Sequence, residues 1–294
     1  MLELNIDESV PRKDSLDEKR DGSDRLKLEQ ADIETQRQIS LAREGIYIFL
    51  SRVFMYEIDN EFLTVIAAVQ PALESLSSSQ RDEDLKKASD MLVTFREKAK
   101  TFEGEERGKL LTDLAVEFAA LFLVPGKDVG QERVWPWESA YFTDPPRMFD
   151  EPYHECIQAY RLVGYEKPKD FNEGEDHIAL ELDFMAHLCR LALTSIDGGR
   201  IDFAAGYVKL QKEFLQDHLL RWVGKFSSRL VKISKRRPLE FYRAIAIVLD
   251  TFVTMDDHVV DDVSEKLKSI SDAQQKDKTM SSALNDRTGT ISAA

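Results

Sequence analysis

Five consecutive residues, Glu173-Gly174-Glu175-Asp176-His177, gather three carboxylates and an imidazole at what reads as a helix start. Asn172 followed three residues later by Glu175 has the spacing of an N-cap with a reciprocating carboxylate. That register puts Asp176 and His177 in the first turn beside a loop, where side chains reach solvent. His177 and Glu181 are then i,i+4 neighbours within hydrogen-bonding reach. Carboxylates so placed can grip a guanidinium through paired, charge-assisted hydrogen bonds. First-turn acids also simply favour the positive end of the helix dipole, and both readings stay open.

An aromatic loop is the second informative group: Trp135, Trp137, Tyr141 and Phe142 surround Glu138 and Ser139 between prolines. Such rings fill a core edge or, partly exposed, receive an apolar peptide segment. Phe214, His218 and Trp222 form a third group, at strict four-residue spacing on one helix face, which fits core packing around a satisfied histidine.

Metal and nucleophile chemistry find less. Asp-His occurs three times, at Asp176-His177, Asp217-His218 and Asp257-His258, and a helical metal-dependent hydrolase built on these pairs is the alternative reading. Helical di-iron sites need two Glu-x-x-His elements, and the chain offers one, Glu151 to His154. There is no Gly-x-Ser-x-Gly elbow and no Gly-rich phosphate loop. No metal and no cofactor are expected.

These groups need helices to position them. Ile39, Ile46, Leu50, Val53 and Phe54 make one apolar stripe over Asp32–Tyr56. Amphipathic periods follow over Glu61–Leu76 (kinked at Pro71), Glu83–Phe102 and Glu106–Leu123, the last stopped by Pro125-Gly126. The stretch from Gly126 to Pro146 has no period, which inside a compact domain is often functional. Helical patterning resumes over Tyr153–Leu162, Glu173–Ser195, and near 202–232, 239–256 and 258–270, with no period-2 strand. The expected fold is all-α, a single globular domain of about nine or ten helices over residues 31–270. It is flanked by charged tails at 1–30 and 271–294 whose composition suits disorder.

Composition narrows the class. Of 294 residues, 40 are Lys or Arg and 54 Asp or Glu, a formal charge of −14. Duplex nucleic acid needs a compensating basic field, so it is excluded, whereas a basic peptide is not. Two cysteines, Cys156 and Cys189, rule out a disulfide scaffold and read as buried thiols in a reducing compartment. No run reaches the ~18 apolar residues of a membrane span. The first 30 residues hold nine acids and six bases without an apolar stretch, unlike a secretory signal. The expected location is the cytoplasm.

Taken in order, these segments resemble the TorD/DmsD family, cytoplasmic chaperones of twin-arginine-exported molybdoenzymes. The resemblance spans about Arg43 to Asp256. It includes Tyr47-Ile-Phe-Leu-Ser-Arg-Val-Phe54, Leu114-Ala-Val-Glu-Phe118-Ala-Ala-Leu-Phe122 and Trp137-Glu138-Ser139-Ala-Tyr141. Its sharpest element is Glu175-Asp176-His177-Ile-Ala-Leu-Glu181-Leu182-Asp-Phe184-Met185, similar to the signature E-P-x-D-H-I-x-x-E-L-x-F-M, with Phe214, His218, Trp222 and Phe241-Tyr242 downstream. The signature's proline is Gly174 here, which loosens the loop entering the helix.

The resemblance implies a TorD-like helical fold without catalytic turnover. It implies a partner: the twin-arginine signal peptide, and the apo form, of a molybdopterin oxidoreductase, held back from export until its cofactor is loaded. A transient contact with the export machinery and a monomer or domain-swapped dimer also belong to that picture. Asp176 and His177 match residues linked to peptide binding, with Trp137, Glu138, Ser139 and Tyr141 lining the same region. Glu173, Glu175, Tyr47, Glu181, His218 and Trp222 complete the candidate peptide-binding set.

Overall fold

A computed structural model describes residues 13–66, 83–123, 134–143, 145–235 and 239–291. Among these residues lie eight α-helices: α1 (Lys13–Met55), α2 (Glu83–Thr101), α3 (Gly104–Phe118), α4 (Glu151–Leu162), α5 (Ile178–Asp197), α6 (Ile201–Phe214), α7 (Leu220–Ser234) and α8 (Phe241–Ile291). Residues 60–66 are also helical. The described residues contain no strand, only an isolated bridge between Trp137 and His177. The all-α expectation therefore holds, with a helix count close to the one expected. Among the described residues no helix is long and apolar enough to cross a membrane. The Pro71 kink, the rest of the helix expected over Glu61–Leu76 and the Pro125-Gly126 stop lie outside the described residues.

Helix α5 is the hub. Its residues are apolar nearly all round, from Ile178 through Leu182, Met185 and Cys189 to Ile196, and most are buried, as expected for a helix enclosed by others. α1 lies along one side of it and α6 along another. α6, α7 and α2 then pack on α8. The apolar stripe of α1, Ile46, Leu50, Val53 and Phe54, points into this core. α7 is strongly two-faced: Trp222, Val223, Phe226, Leu230 and Ile233 are buried at three- and four-residue steps. Truncating a core side chain such as Leu182 to Ala would cost ~2–5 kcal/mol.

Three boundaries differ from expectation, each for a local reason. α6 and α7 form one run, as the periodicity over 202–232 predicts, but a π turn over Leu215–Leu219 interrupts it. Within this turn His218 is buried, while its neighbour Asp217 stays exposed. The expected break near residue 257 is absent: Asp256-Asp257-His258 carries no Gly or Pro, and α8 continues through it. The charged segments 13–30 and 271–291, whose composition suits disorder, are helical extensions of α1 and α8. They meet one another through Gln274 Nε2, which donates to Glu29 at 2.7 Å, and Lys266 pairs with Asp32 at 2.8 Å.

Gly199 closes α5. Its φ of 67° is the left-handed conformation that side chains resist, and it lets Arg200 N–H return to Ser195 C=O at 2.8 Å.

Candidate functional site

The segment 134–141 is drawn onto the start of α5 by main-chain bonds. Ile178 N–H donates to Pro136 C=O at 2.8 Å and Glu138 N–H to Asp176 C=O at 2.9 Å. With this grip in place Gly174 to His177 forms a tight turn, closed by His177 N–H donating to Gly174 C=O at 3.1 Å, and the helix begins only after His177. The N-cap is His177, whose Nδ1 accepts from Ala179 N–H at 3.1 Å. The Asn172–Glu175 capping box is thus not formed.

The same grip buries the two residues expected at the surface. Asp176 is 1% exposed and His177 4%. Asp176 Oδ2 accepts both the Ser139 hydroxyl and, at 3.0 Å, the Ser139 N–H, so it caps the 3-10 turn Glu138–Tyr141. Burial raises the Asp176 carboxyl, and the Ser139 bonds oppose it. His177 lies edge-on between Trp137 (5.8 Å between centroids) and Phe171 (5.1 Å). Burial alone holds its imidazole down to about 3, so at neutral pH it is an uncharged cap.

Beneath them sits a second polar layer. His218 Nδ1 is 2.7 Å from Glu138 Oε2 and 3.7 Å from Cys156 Sγ. Trp222 Nε1–H donates to Glu181 Oε2 at 3.1 Å, and the Tyr141 ring tilts against Trp222 at 5.3 Å. Glu181 does not bond His177 through its side chain. Burial, then the neighbouring Glu138, pushes its carboxyl well above the usual carboxylate range.

The outward rim consists of different residues. Glu173 and Glu175 are half-buried, and Lys167 Nζ bridges them, 2.9 Å from Glu175 Oε1 and donating to Glu173 C=O at 2.8 Å. Phe149, 56% exposed, stands over Tyr153 with their rings 5.1 Å apart. Its φ is 60°, a left-handed conformation unusual for a bulky residue. Gly174 is tightly held, not loose. A Cβ there would lie 3.1 Å from Asp176 Oδ1 and 3.3 Å from the Phe149 ring.

Eleven of the twelve candidate residues thus lie in one connected region at the head of α5. Tyr47 does not. Its hydroxyl donates to Asp256 within a buried cluster, where Arg43 also pairs with Asp256 at 2.6 Å and donates to Gln211 at 2.6 Å. One turn further on, Ser51 is the α1 residue that reaches the region, donating to Ala179 C=O at 2.9 Å. Cys156, Phe171, Phe149 and Lys167 were not anticipated. Only the tertiary fold brings them in, and no local spacing marks them.

The three Asp-His pairs do not converge. His258 is exposed, and Asp257 accepts from Gln216 at 3.0 Å. The metal-dependent hydrolase reading built on them is not supported.

The family model "Nitrate reductase delta subunit" matches residues 79–228. Among curated proteins, a "Chaperone protein TorD" of Vibrio cholerae is 26% identical over 226 residues, covering 76% of this chain and 94% of that protein. Proteins of the same name from Shewanella piezotolerans (26% over 230 residues; 76% and 94%) and Photobacterium profundum (28% over 214 residues; 73% and 92%) are similar. No solved structure matches.

Proposed function

The chain belongs to the nitrate reductase delta subunit family and is a redox-enzyme maturation chaperone of the TorD kind, not an enzyme; from that premise we propose that it holds the twin-arginine signal peptide of a cytoplasmic molybdopterin oxidoreductase precursor at the rim around Glu173 and Glu175, delaying export until the cofactor is loaded.

The observation that carries this reading is the rim itself. Two half-buried carboxylates stand beside an exposed aromatic ring on a backbone in an uncommon conformation. Strain of this kind persists where the surroundings over-determine it, and it gathers at ligand sites. Burial raises the Glu173 carboxyl, with Lys167 working against it, so a second cation there would be welcome. A peptide arginine can displace Lys167 and engage a carboxylate through two parallel hydrogen bonds. The Phe149 face accepts the second arginine or the adjoining apolar run.

In this reading the buried candidates divide from the exposed ones. Asp176, His177, Glu138, Ser139, Glu181, His218 and Trp222 set the shape of the rim and do not touch the peptide, whereas Trp137 and Tyr141, partly exposed, border it. The excess of acid over base raises the encounter rate with a basic peptide and makes it salt-dependent.

Calorimetry with a signal peptide and its twin-lysine counterpart tests this. Glu173→Gln with Glu175→Gln should weaken binding at least ~10-fold, the loss of one charge-assisted hydrogen bond, with unchanged helical circular dichroism. Undiminished affinity in the folded double variant would remove the rim from consideration.

A further inference from the structure

Cys156 Sγ, His218 Nδ1 and a Glu138 carboxylate oxygen all lie within 4.8 Å of one another, fully enclosed beneath the 3-10 turn. They come from α4, the π turn and the 3-10 turn, Cys156 and His218 being 62 positions apart and Glu138 and His218 80 apart. None of the metal-like spacings in the sequence contains the set. From this convergence we infer that the chain binds a single zinc-class transition-metal ion at Cys156, His218 and Glu138.

Charge points the same way. Glu138, Glu181 and Asp176 are all buried to 1% exposure or less. Of the three, Glu138 meets the His218 ring at 2.7 Å. A buried carboxyl group must be protonated, hydrogen-bonded, ion-paired or bound to a metal. Moreover Glu138 Oε1 and Glu181 Oε1 are both enclosed and receive no hydrogen bond. Oxygens so enclosed are costly unless something satisfies them.

The donor set selects the class of metal. A thiolate, an imidazole and carboxylate oxygens suit zinc and its neighbours, whereas magnesium and calcium take oxygen ligands alone. Tetrahedral angles with ordinary zinc bond lengths put S and N ~3.6 Å apart, close to the 3.7 Å between Cys156 Sγ and His218 Nδ1. Nδ1 and Glu138 Oε2, now hydrogen-bonded at 2.7 Å, must part by ~0.6 Å to reach tetrahedral spacing. Binding displaces the Cys156 thiol proton and the proton between His218 and Glu138, both released to solvent. The outer shell is already built. Phe214 stacks on the His218 ring at 4.4 Å and orients it.

The test uses the full chain, stripped with chelator, incubated with zinc and freed of excess by gel filtration. About one zinc ion should remain per chain. Cobalt in its place should give a thiolate-to-cobalt charge-transfer band in the near ultraviolet and intense visible bands of four-coordinate cobalt. Cys156→Ser should abolish the near-ultraviolet band. His218→Gln should weaken cobalt binding by more than ~100-fold, beyond the effect of outer-shell changes. Folded wild-type protein that retains no zinc, or cobalt bound without the thiolate band, overturns the proposal, as do variants that bind like wild type. Should both variants unfold by circular dichroism, the wild-type band decides alone. The outcome is independent of peptide affinity.

Discussion

Ser139 and Asp176, 37 residues apart, hold one another: the serine gives both its hydroxyl and its N–H to one carboxylate oxygen of the aspartate. That pair joins the aromatic loop to the head of α5 and decides which side chains there are inside. A surface acid inferred from sequence is thereby an internal strut.

The first prediction concerns this strut. Ser139→Ala leaves the buried Asp176 oxygen short of a donor and should destabilise the fold by ~1–3 kcal/mol. Asp176→Ala should cost a similar amount. Urea titration measures both. A loss of peptide affinity without any loss of stability would show Asp176 to be a contact and not a strut.

His177 gives a pH prediction with a definite sign. Its folded value of about 3 lies below its ordinary 6.5, so between those limits the unfolded chain binds a proton that the folded chain does not. Stability therefore rises with pH across that window and is lost as pH falls below 6.5. The contribution is on the order of 4 kcal/mol at the acid end. His177→Asn keeps a capping oxygen and should flatten this dependence in urea titrations from pH 4 to 7.

Glu181 works in the opposite direction. Burial and Glu138 push its carboxyl up, so the folded state holds a proton that the unfolded chain releases. Stability is then lost as pH rises from the ordinary carboxylate range toward the raised value. Glu181→Gln removes the titration and should lift stability at pH 8 relative to pH 5. Hydrogen bonding from Trp222 Nε1 to the amide oxygen preserves the packing. An unchanged difference between the two pH values would count against a buried neutral acid.

Tyr47 should behave as a structural residue. Tyr47→Phe removes its bond to Asp256 and should cost ~1–2 kcal/mol, with peptide affinity untouched in calorimetry. Asp256→Ala leaves Arg43 buried and unpaired, and should cost ~3–5 kcal/mol.

Gly174 marks the departure from the family signature. Gly174→Ala should destabilise by ~1–3 kcal/mol, because Asp176, pinned by Ser139, cannot retreat from the added methyl. A neutral result would mean that Phe149 gives way.

Much of the fold was legible because helices announce themselves locally. The period in Ile46, Leu50, Val53 and Phe54, and in Trp222, Phe226 and Leu230, is the period of the buried face. The end of α5 at Gly199 has a local cause as well, since its backbone conformation favours glycine. Boundaries failed where a distant segment intervened. Asn172 has the chemistry of a cap, but Pro136 and Glu138 claim the backbone beside it.

The sequence by itself determined the helical class and the core faces, because each depends on neighbours within a few positions, and the family, because its segments recur in order along the chain. Only the tertiary structure decided which of the candidate residues meet water. Burial depends on what packs across the gap, and Asp176 is enclosed by a serine 37 residues away. It also decided that Cys156, His218 and Glu138 converge, for a polar cluster assembled from three segments leaves no spacing in any one of them.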